Sequence, residues 1–284
     1  MNRAVCLPLL LGSVLALLPG RVATAAAPDW SLITISPWQR ALEVSDNLRC
    51  QLPGAVQVWL PSAAQSISLI HSFADWHQHP LADTMACFSA RFYQPGSLDC
   101  NTKGERDRLE CRLPLFPYEA GDRHLLFANA QGVASANDYQ ITLPLRSSQA
   151  LIAHEIGHWL GLADEYQMTG ELAEAFCSGK YDHASLNVAV SDTMIMSASQ
   201  LQAFWQELPW QFAVPDWRLL GTKLADGRWR LGSMDKEQAG LFPVPACNSA
   251  GKYAWRPVAK MTAMHYHDTA VWPALYLELI TRHR

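Results

Sequence analysis

Beyond its first two dozen residues the sequence contains no apolar run of the roughly 20 residues needed to cross a bilayer. The best later stretch, "TAVWPALYLELI" (Thr269–Ile280), is interrupted by Pro273 and Glu278 and reads as core. Charged residues make up only 17% of the 284 and hydrophobic ones 49%, which excludes a disordered chain. There is no basic block, so a nucleic-acid partner is not expected. There is no acidic tail, no internal repeat and no low-complexity segment. No C-x-x-C occurs, which argues against a cysteine zinc knuckle.

The N-terminus is different. Arg3 gives a positive start, Val5 to Leu18 is apolar, Pro19-Gly20 breaks the run, and Ala23-Thr24-Ala25 is a small-x-small cleavage site. This reads as a secretory signal peptide over residues 1–25. The alternative, a membrane anchor, asks for a longer run, so no stable membrane insertion is expected after removal. The mature chain then carries 20 basic against 26 acidic residues, a net charge of −6. Six cysteines remain, an even count that in a secreted or periplasmic protein favours three disulfides. Six cysteines allow 15 pairings. We expect Cys100–Cys111 as a local staple, with Cys50–Cys87 and Cys177–Cys247 for the rest.

The first half is strand-like. "AVQVWLP" (Ala55–Pro61), "ACFSARFYQ" (Ala86–Gln94), "LECRLPLF" (Leu109–Phe116) and "HLLFANA" (His124–Ala130) alternate or are rich in β-formers. "SLDCNTKGERDR" (Ser97–Arg108) reads as a polar turn, and "ISLIHSFADWHQH" (Ile67–His79) as a helix. "YQITLPL" (Tyr139–Leu145) alternates cleanly, and Pro144 makes it an edge strand or ends it. The second half promises helices over Glu171–Phe176 and Ser197–Leu208, with irregular structure around its prolines and tryptophans. The fold class expected is α+β.

Between the halves lies "AHEIGHWLGLADEY" (Ala153–Tyr166), two histidines and three acids among apolar residues. Ser147 or Ser148 can cap a helix in which Leu151, Ile152, Ile156, Trp159 and Leu160 recur at helical spacing, and Gly161 can stop it. His154 and His158, four apart, then share one face and can reach one ion. Zinc suits such nitrogen ligands, and a catalytic zinc takes three protein ligands plus water. Glu155 can take a proton from that water and pass it to a leaving amine. Gly161 can turn the chain so that Asp164 returns as third ligand, with Glu165 as its rival. Gly157 inside the helix costs about 1 kcal/mol relative to alanine; close packing beneath the ion would be a reason for it.

H-E-x-x-H-x-x-G-x-x-D over His154–Asp164 resembles the extended zinc motif of the metzincin metallopeptidases, most of which end it with histidine. Aspartate there is similar to the snapalysin-type bacterial peptidases, and "GLADEY" (Gly161–Tyr166) resembles the bacterial IgA-peptidase family, which has one more residue before the glycine. The resemblance covers roughly Tyr139 to Ser199. It implies a single peptidase domain over residues 26–284, with a strand-rich upper subdomain to about residue 161 and a lower subdomain after it. Substrate would add to an edge strand, with Tyr139–Leu145 the candidate. The resemblance also implies a methionine turn beneath the ion. Met196 in "SDTMIMSAS" (Ser191–Ser199) matches best, Met194 is second, and Met264 in "TAMHYHD" (Thr262–Asp268) competes from a hundred residues away. Glu165, Tyr166 and Tyr266 are candidates to support the ligands or hold the oxyanion.

The expectation is therefore a secreted zinc endopeptidase: one Zn²⁺ held by His154, His158 and Asp164, Glu155 as general base, and a protein or peptide as substrate. A zinc amidase acting on cell-wall or other non-protein amides would use the same residues. A binding or adhesion module with a structural metal is the non-catalytic reading. The cluster His71, His77, His79 reads as soluble turn histidines, with a second metal site as the alternative. Cys50 resembles an inhibitory, zinc-capping cysteine, although cysteine parity favours a disulfide. Most of the eleven tryptophans should be core.

Overall fold

The computed structural model describes residues 48–284 apart from 51, 53, 62, 86, 94–95, 105, 113–122 and 181–184. The signal-peptide reading lies outside these residues.

The front half builds a five-stranded sheet of order β2-β1-β5-β7-β6. Its strands are β1 (Val56–Leu60), β2 (Phe88–Phe92), β5 (His124–Ala128), β6 (Ser135–Ala136) and β7 (Gln140–Pro144). The first four in spatial order run parallel and β6 alone is antiparallel. Parallel strands covered on both faces need near-continuous apolar sequence, and β5 is buried at all five positions. One face, from Val56, Val58, Leu60, Leu125, Phe127, Ile141 and Leu143, shares a core with helix α1 (Ala63–Ala74) and helix α2 (Gln149–Trp159). On the other face Leu126 and Ala128 pack against Leu109 and Cys111 of a hairpin, β3 (Asp99–Lys103) with β4 (Arg108–Arg112).

Two expectations need correction here. Tyr139–Leu145 is not the sheet edge, because β6 pairs with the free side of β7; Pro144, with no N–H to give, stands at its last position. Ser97–Arg108 is not all turn. Asp99–Lys103 pairs residue for residue with β4, and the Cys100–Cys111 disulfide crosses two register partners, so tertiary pairing makes a strand of polar residues.

The back half contains helices α3 (Gly170–Cys177), α4 (Ala198–Glu207) and α5 (Ala274–Arg282). Ser197 and Gln200 form a capping box at the start of α4. The stretch expected to be irregular carries short strands: β8 (Ala189–Ser191), β9 (Ile195–Met196), β10 (Gly221–Lys223), β11 (Trp229–Leu231), β12 (Phe242–Val244) and β13 (Tyr253–Arg256). They form two small sheets, β10-β11-β9 and β12-β13-β8. The whole is a mixed α+β structure. Among the described residues no helix is long and apolar enough to cross a membrane.

The three disulfides are Cys50–Cys87, Cys100–Cys111 and Cys177–Cys247, as expected. Cys50 is therefore engaged and unavailable to cap a metal. Trp76, Trp210 and Trp255 are among the most deeply buried side chains. His79 stacks on Trp76 with ring centroids 4.7 Å apart, while His71 and His77 point to solvent. The three do not form a metal-holding group.

Candidate metal centre

Helix α2 starts where Ser148 accepts a hydrogen bond from Leu151 N at 3.2 Å. Ile152 and Ile156, one turn apart, are buried in the main core. Each such burial is worth about 1.5–3 kcal/mol, so this face anchors the helix. His154 and His158 lie on a neighbouring face with ring centroids 5.0 Å apart.

The helix ends in a Schellman turn. Gly161 N donates to His158 O at 2.9 Å and Leu162 N to Gly157 O at 3.0 Å. Gly161 has φ +87°, a left-handed conformation that glycine adopts without steric cost. The reversed chain carries Asp164 back over the histidines. Its backbone is clamped by Asn187, whose side chain accepts from Ala163 N at 2.7 Å and donates to Ala163 O at 3.0 Å.

Each imidazole is oriented by a carbonyl. His154 Nδ1 lies 2.8 Å from Ala263 O and His158 Nδ1 lies 2.9 Å from Leu162 O. A carbonyl only accepts, so each Nδ1 carries the proton and donates. In the neutral rings the Nε2 lone pairs then face Asp164 Oδ1, at 3.1 Å from His154 and 3.4 Å from His158. Three lone-pair atoms converge, and Asp164 Oδ1 is buried with no hydrogen-bond partner. Such an arrangement is repulsive unless a cation or protons sit among them. Tetrahedral zinc with bonds of about 2.1 Å holds its ligand atoms about 3.4 Å apart, close to both separations. His154, His158 and Asp164 are the group of described residues able to hold a metal ion.

The local field favours positive charge at this point, a proton or a cation. Burial works against charge on His158, but Asp164 and Glu155 outweigh it and push its pKa up to about 9. Burial alone would raise Asp164, yet the two imidazoles hold it well below the usual carboxylate range. Burial raises the Glu155 carboxyl, against the pull of both histidines.

Glu165 does not face this group. It is 0% exposed and spent on a separate web: Oε2 accepts from Arg256 Nη1 and Thr262 Oγ1, each at 2.8 Å, and Oε1 from Asn187 Nδ2 and the Tyr276 hydroxyl. Glu165 N also donates to Met264 O at 3.0 Å. Between Asp164 and Glu165, it is Asp164 that lies with the histidines.

The methionine that packs against the histidine helix is Met264. A Cβ built on Gly157 would lie 2.8 Å from Met264 Sδ and 3.2 Å from Trp272 Cη2. Met264 is 0% exposed and packs on the helix at Gly157, which lies between His154 and His158 in sequence. Met196 is in β9, paired with Trp229 in a different sheet. Met196 was the expectation because it matches the resembled pattern best; Met264 comes from a segment a hundred residues past Asp164, in which the carbonyl of Ala263, the residue before it, accepts the His154 Nδ1 hydrogen bond.

A cavity of about 670 Å³ opens over the group, and Glu155, Tyr166 and Tyr266 line it. Tyr166 stacks on His154 at 6.3 Å, and burial together with the nearby Asp164 raises its pKa. Tyr266 is 53% exposed and packs on His267, whose ring is 6.2 Å from His154. His265, His267, Arg106 and Arg108 also line the cavity and were not anticipated. The H-x-H in "MHYHD" was a visible signal for the histidines; no local pattern marks the arginines. Gly132 to Ala136, including edge strand β6, forms another wall. No protein-family model matches this chain, and no curated protein matches it.

Proposed function

We propose that the protein is an exported zinc-dependent endopeptidase of metzincin-like design. The observation that carries this reading is Asp164 Oδ1, buried without a hydrogen-bond partner and facing two Nε2 atoms whose Nδ1 protons are already committed. A nitrogen, nitrogen, oxygen donor set of this kind suits zinc among the common divalent ions. A methionine under the ligand helix and a glycine turn before the third ligand agree with the resemblance. Three disulfides agree with an oxidising compartment.

His154, His158 and Asp164 would hold the ion, leaving one side open to the cavity. Bound zinc would supply Lewis acidity, making water a nucleophile near neutral pH and polarising the scissile carbonyl. Glu155, on the same helix, takes the proton of the attacking water and returns it to the leaving nitrogen. Burial favours the protonated carboxyl after the first transfer. Tyr266, which lines the cavity and is exposed, would donate to the developing oxyanion. An extended peptide can lie along β6, the antiparallel edge of the sheet and a wall of the cavity.

The test is metal analysis joined to a peptide-library digest of the wild type and Glu155→Ala. The reading expects about one zinc per chain in both, and cleavage reduced by about 10² to 10⁴ in the variant. Wild-type cleavage that survives in Glu155→Ala overturns it, as does a chain that takes up no metal.

A further inference from the structure

The β3–β4 hairpin carries more positive charge toward the cavity than its own partners neutralise. Lys103 and Arg108 are direct cross-strand partners, a like-charge pairing that destabilises a hairpin. Lys103 turns away to Glu110, Nζ to Oε1 at 3.6 Å. Arg108 has no ion pair and no side-chain hydrogen bond among the described residues, although it is only partly exposed. Arg108 and Glu155 line the same cavity. Arg106 lies over the Tyr166 ring at 5.0 Å and donates Nη2 to Gln167 O at 2.6 Å, which leaves the rest of its guanidinium uncommitted.

Both arginines also line a second hollow of about 500 Å³, which the hairpin shares with the start of α3. They form the ridge between the two hollows. The ridge is rigidly mounted: Leu109 N donates to Val133 O at 2.8 Å and Val133 N to Asp107 O at 2.9 Å. A Cβ on Gly132 would lie 2.8 Å from Asp107 O, so hairpin and cavity wall meet backbone to backbone. Glu110 and Glu171 line the second hollow, and Glu110 is paired with Lys103; in the cavity over the candidate metal centre the only acids on the lining, among the described residues, are Glu155 and Asp164.

We propose that Arg108, flanked by Arg106, is a specificity-determining subsite for a substrate carboxylate close to the scissile amide. This rests on the peptidase reading. Guanidinium and carboxylate match in charge and in planar, two-point geometry. The carboxylate has two sources, an acidic side chain or the C-terminus of the substrate, and either would cross the ridge as the chain passes between the hollows.

The test uses three peptides of one sequence: end-blocked with Glu near the cleaved bond, end-blocked with Gln there, and the Gln form with a free C-terminal carboxylate. Zinc-loaded full-length wild type should favour one carboxylate peptide over blocked Gln by about tenfold or more in kcat/KM; which one identifies the source. Arg108→Gln should cut that ratio to about twofold, Arg106→Gln should reduce it less, and Arg108→Lys should keep part of it. Calorimetric binding to zinc-loaded Glu155→Gln provides a readout free of turnover. The carboxylate peptide should bind about tenfold tighter than its Gln twin, and the advantage should vanish in Glu155→Gln/Arg108→Gln. No preference in the wild type, or a preference that persists without Arg108 because the metal takes the carboxylate, overturns the proposal. Preferential binding without cleavage upholds the subsite and counts against the peptidase reading. Cleavage without preference does the reverse. Should Arg108→Gln fail to fold by circular dichroism, Arg108→Lys carries the comparison.

Discussion

At the scale of single residues, Gly157 pits helix propensity against packing. Alanine would gain about 1 kcal/mol of propensity. Its Cβ would meet Met264 Sδ at 2.8 Å and Trp272 Cη2 at 3.2 Å, and Met264 is wholly buried. Overpacking a core typically costs 1–3 kcal/mol. Packing wins, and we expect Gly157→Ala to destabilise the protein by about 1 kcal/mol in urea unfolding. In a Met264→Ala background the same change should be neutral or stabilising, since neighbours that touch are not additive. A Gly157→Ala protein more stable than wild type would show that the glycine has another reason.

At the scale of elements, two junctions matter. Gly161 closes α2 at φ +87°, where a Cβ costs about 1–2 kcal/mol. Gly161→Ala should lower stability by about that amount. It should also weaken zinc binding by roughly tenfold, because the turn it forms delivers Asp164. Competition with a chelator measures the second effect; unchanged affinity would mean that Asn187 alone holds the loop. The other junction is the 3₁₀ turn Trp76–Gln78 after α1. His79 caps it from below, its ring on Trp76 and its Nδ1 accepting from Leu81 N at 3.1 Å. Accepting requires the neutral ring, and burial lowers the pKa from the ordinary 6.5 to about 4. A depressed histidine pKa means that the stabilisation is complete above about 6.5 and is lost as pH falls through about 4. Allowing for partial exposure, we expect a loss of about 1–2 kcal/mol over that window. His79→Gln should flatten the pH dependence of unfolding there; an unchanged slope would refute the assignment.

At the scale of the whole molecule, the distance between the residues of the site explains what could be read in advance. His154, Glu155, His158, Gly161 and Asp164 fall within eleven residues, so helical period and one glycine were enough to bring them together. The same holds for α1, α4 and the parallel strands, whose apolar patterns are local. The carbonyl that orients His154 comes from 109 residues away, and no period connects it. Met264 arrives on that same returning segment, while Arg106 and Arg108 come from a polar hairpin that only its pairing and its disulfide define. The edge of the sheet was misplaced because β6 is two residues long and too short to leave a pattern. Glu165 binds these distant parts together, bonding to partners 91, 97 and 111 residues further on. With Glu165→Gln, Arg256 would be left as a buried cation without its counter-ion, which costs about 3–5 kcal/mol. At about 2–4 °C per kcal/mol for a chain of this size, Tm should fall by roughly 10 °C. Zinc affinity should fall with it, since the loops of Asp164 and Met264 are both held by this residue. Tyr276→Phe removes one bond and leaves Glu165 its other partners, so a cost of about 1–2 kcal/mol and near-normal zinc binding are expected. The exposed pair Arg282–Glu278, at 2.7 Å on α5, is the control: Glu278→Gln should change stability by no more than about 0.5 kcal/mol. Thermal melts with and without zinc separate the three variants. If Glu165→Gln melts like Glu278→Gln, the buried carboxylate is not what ties the end of the chain to the loop of Asp164.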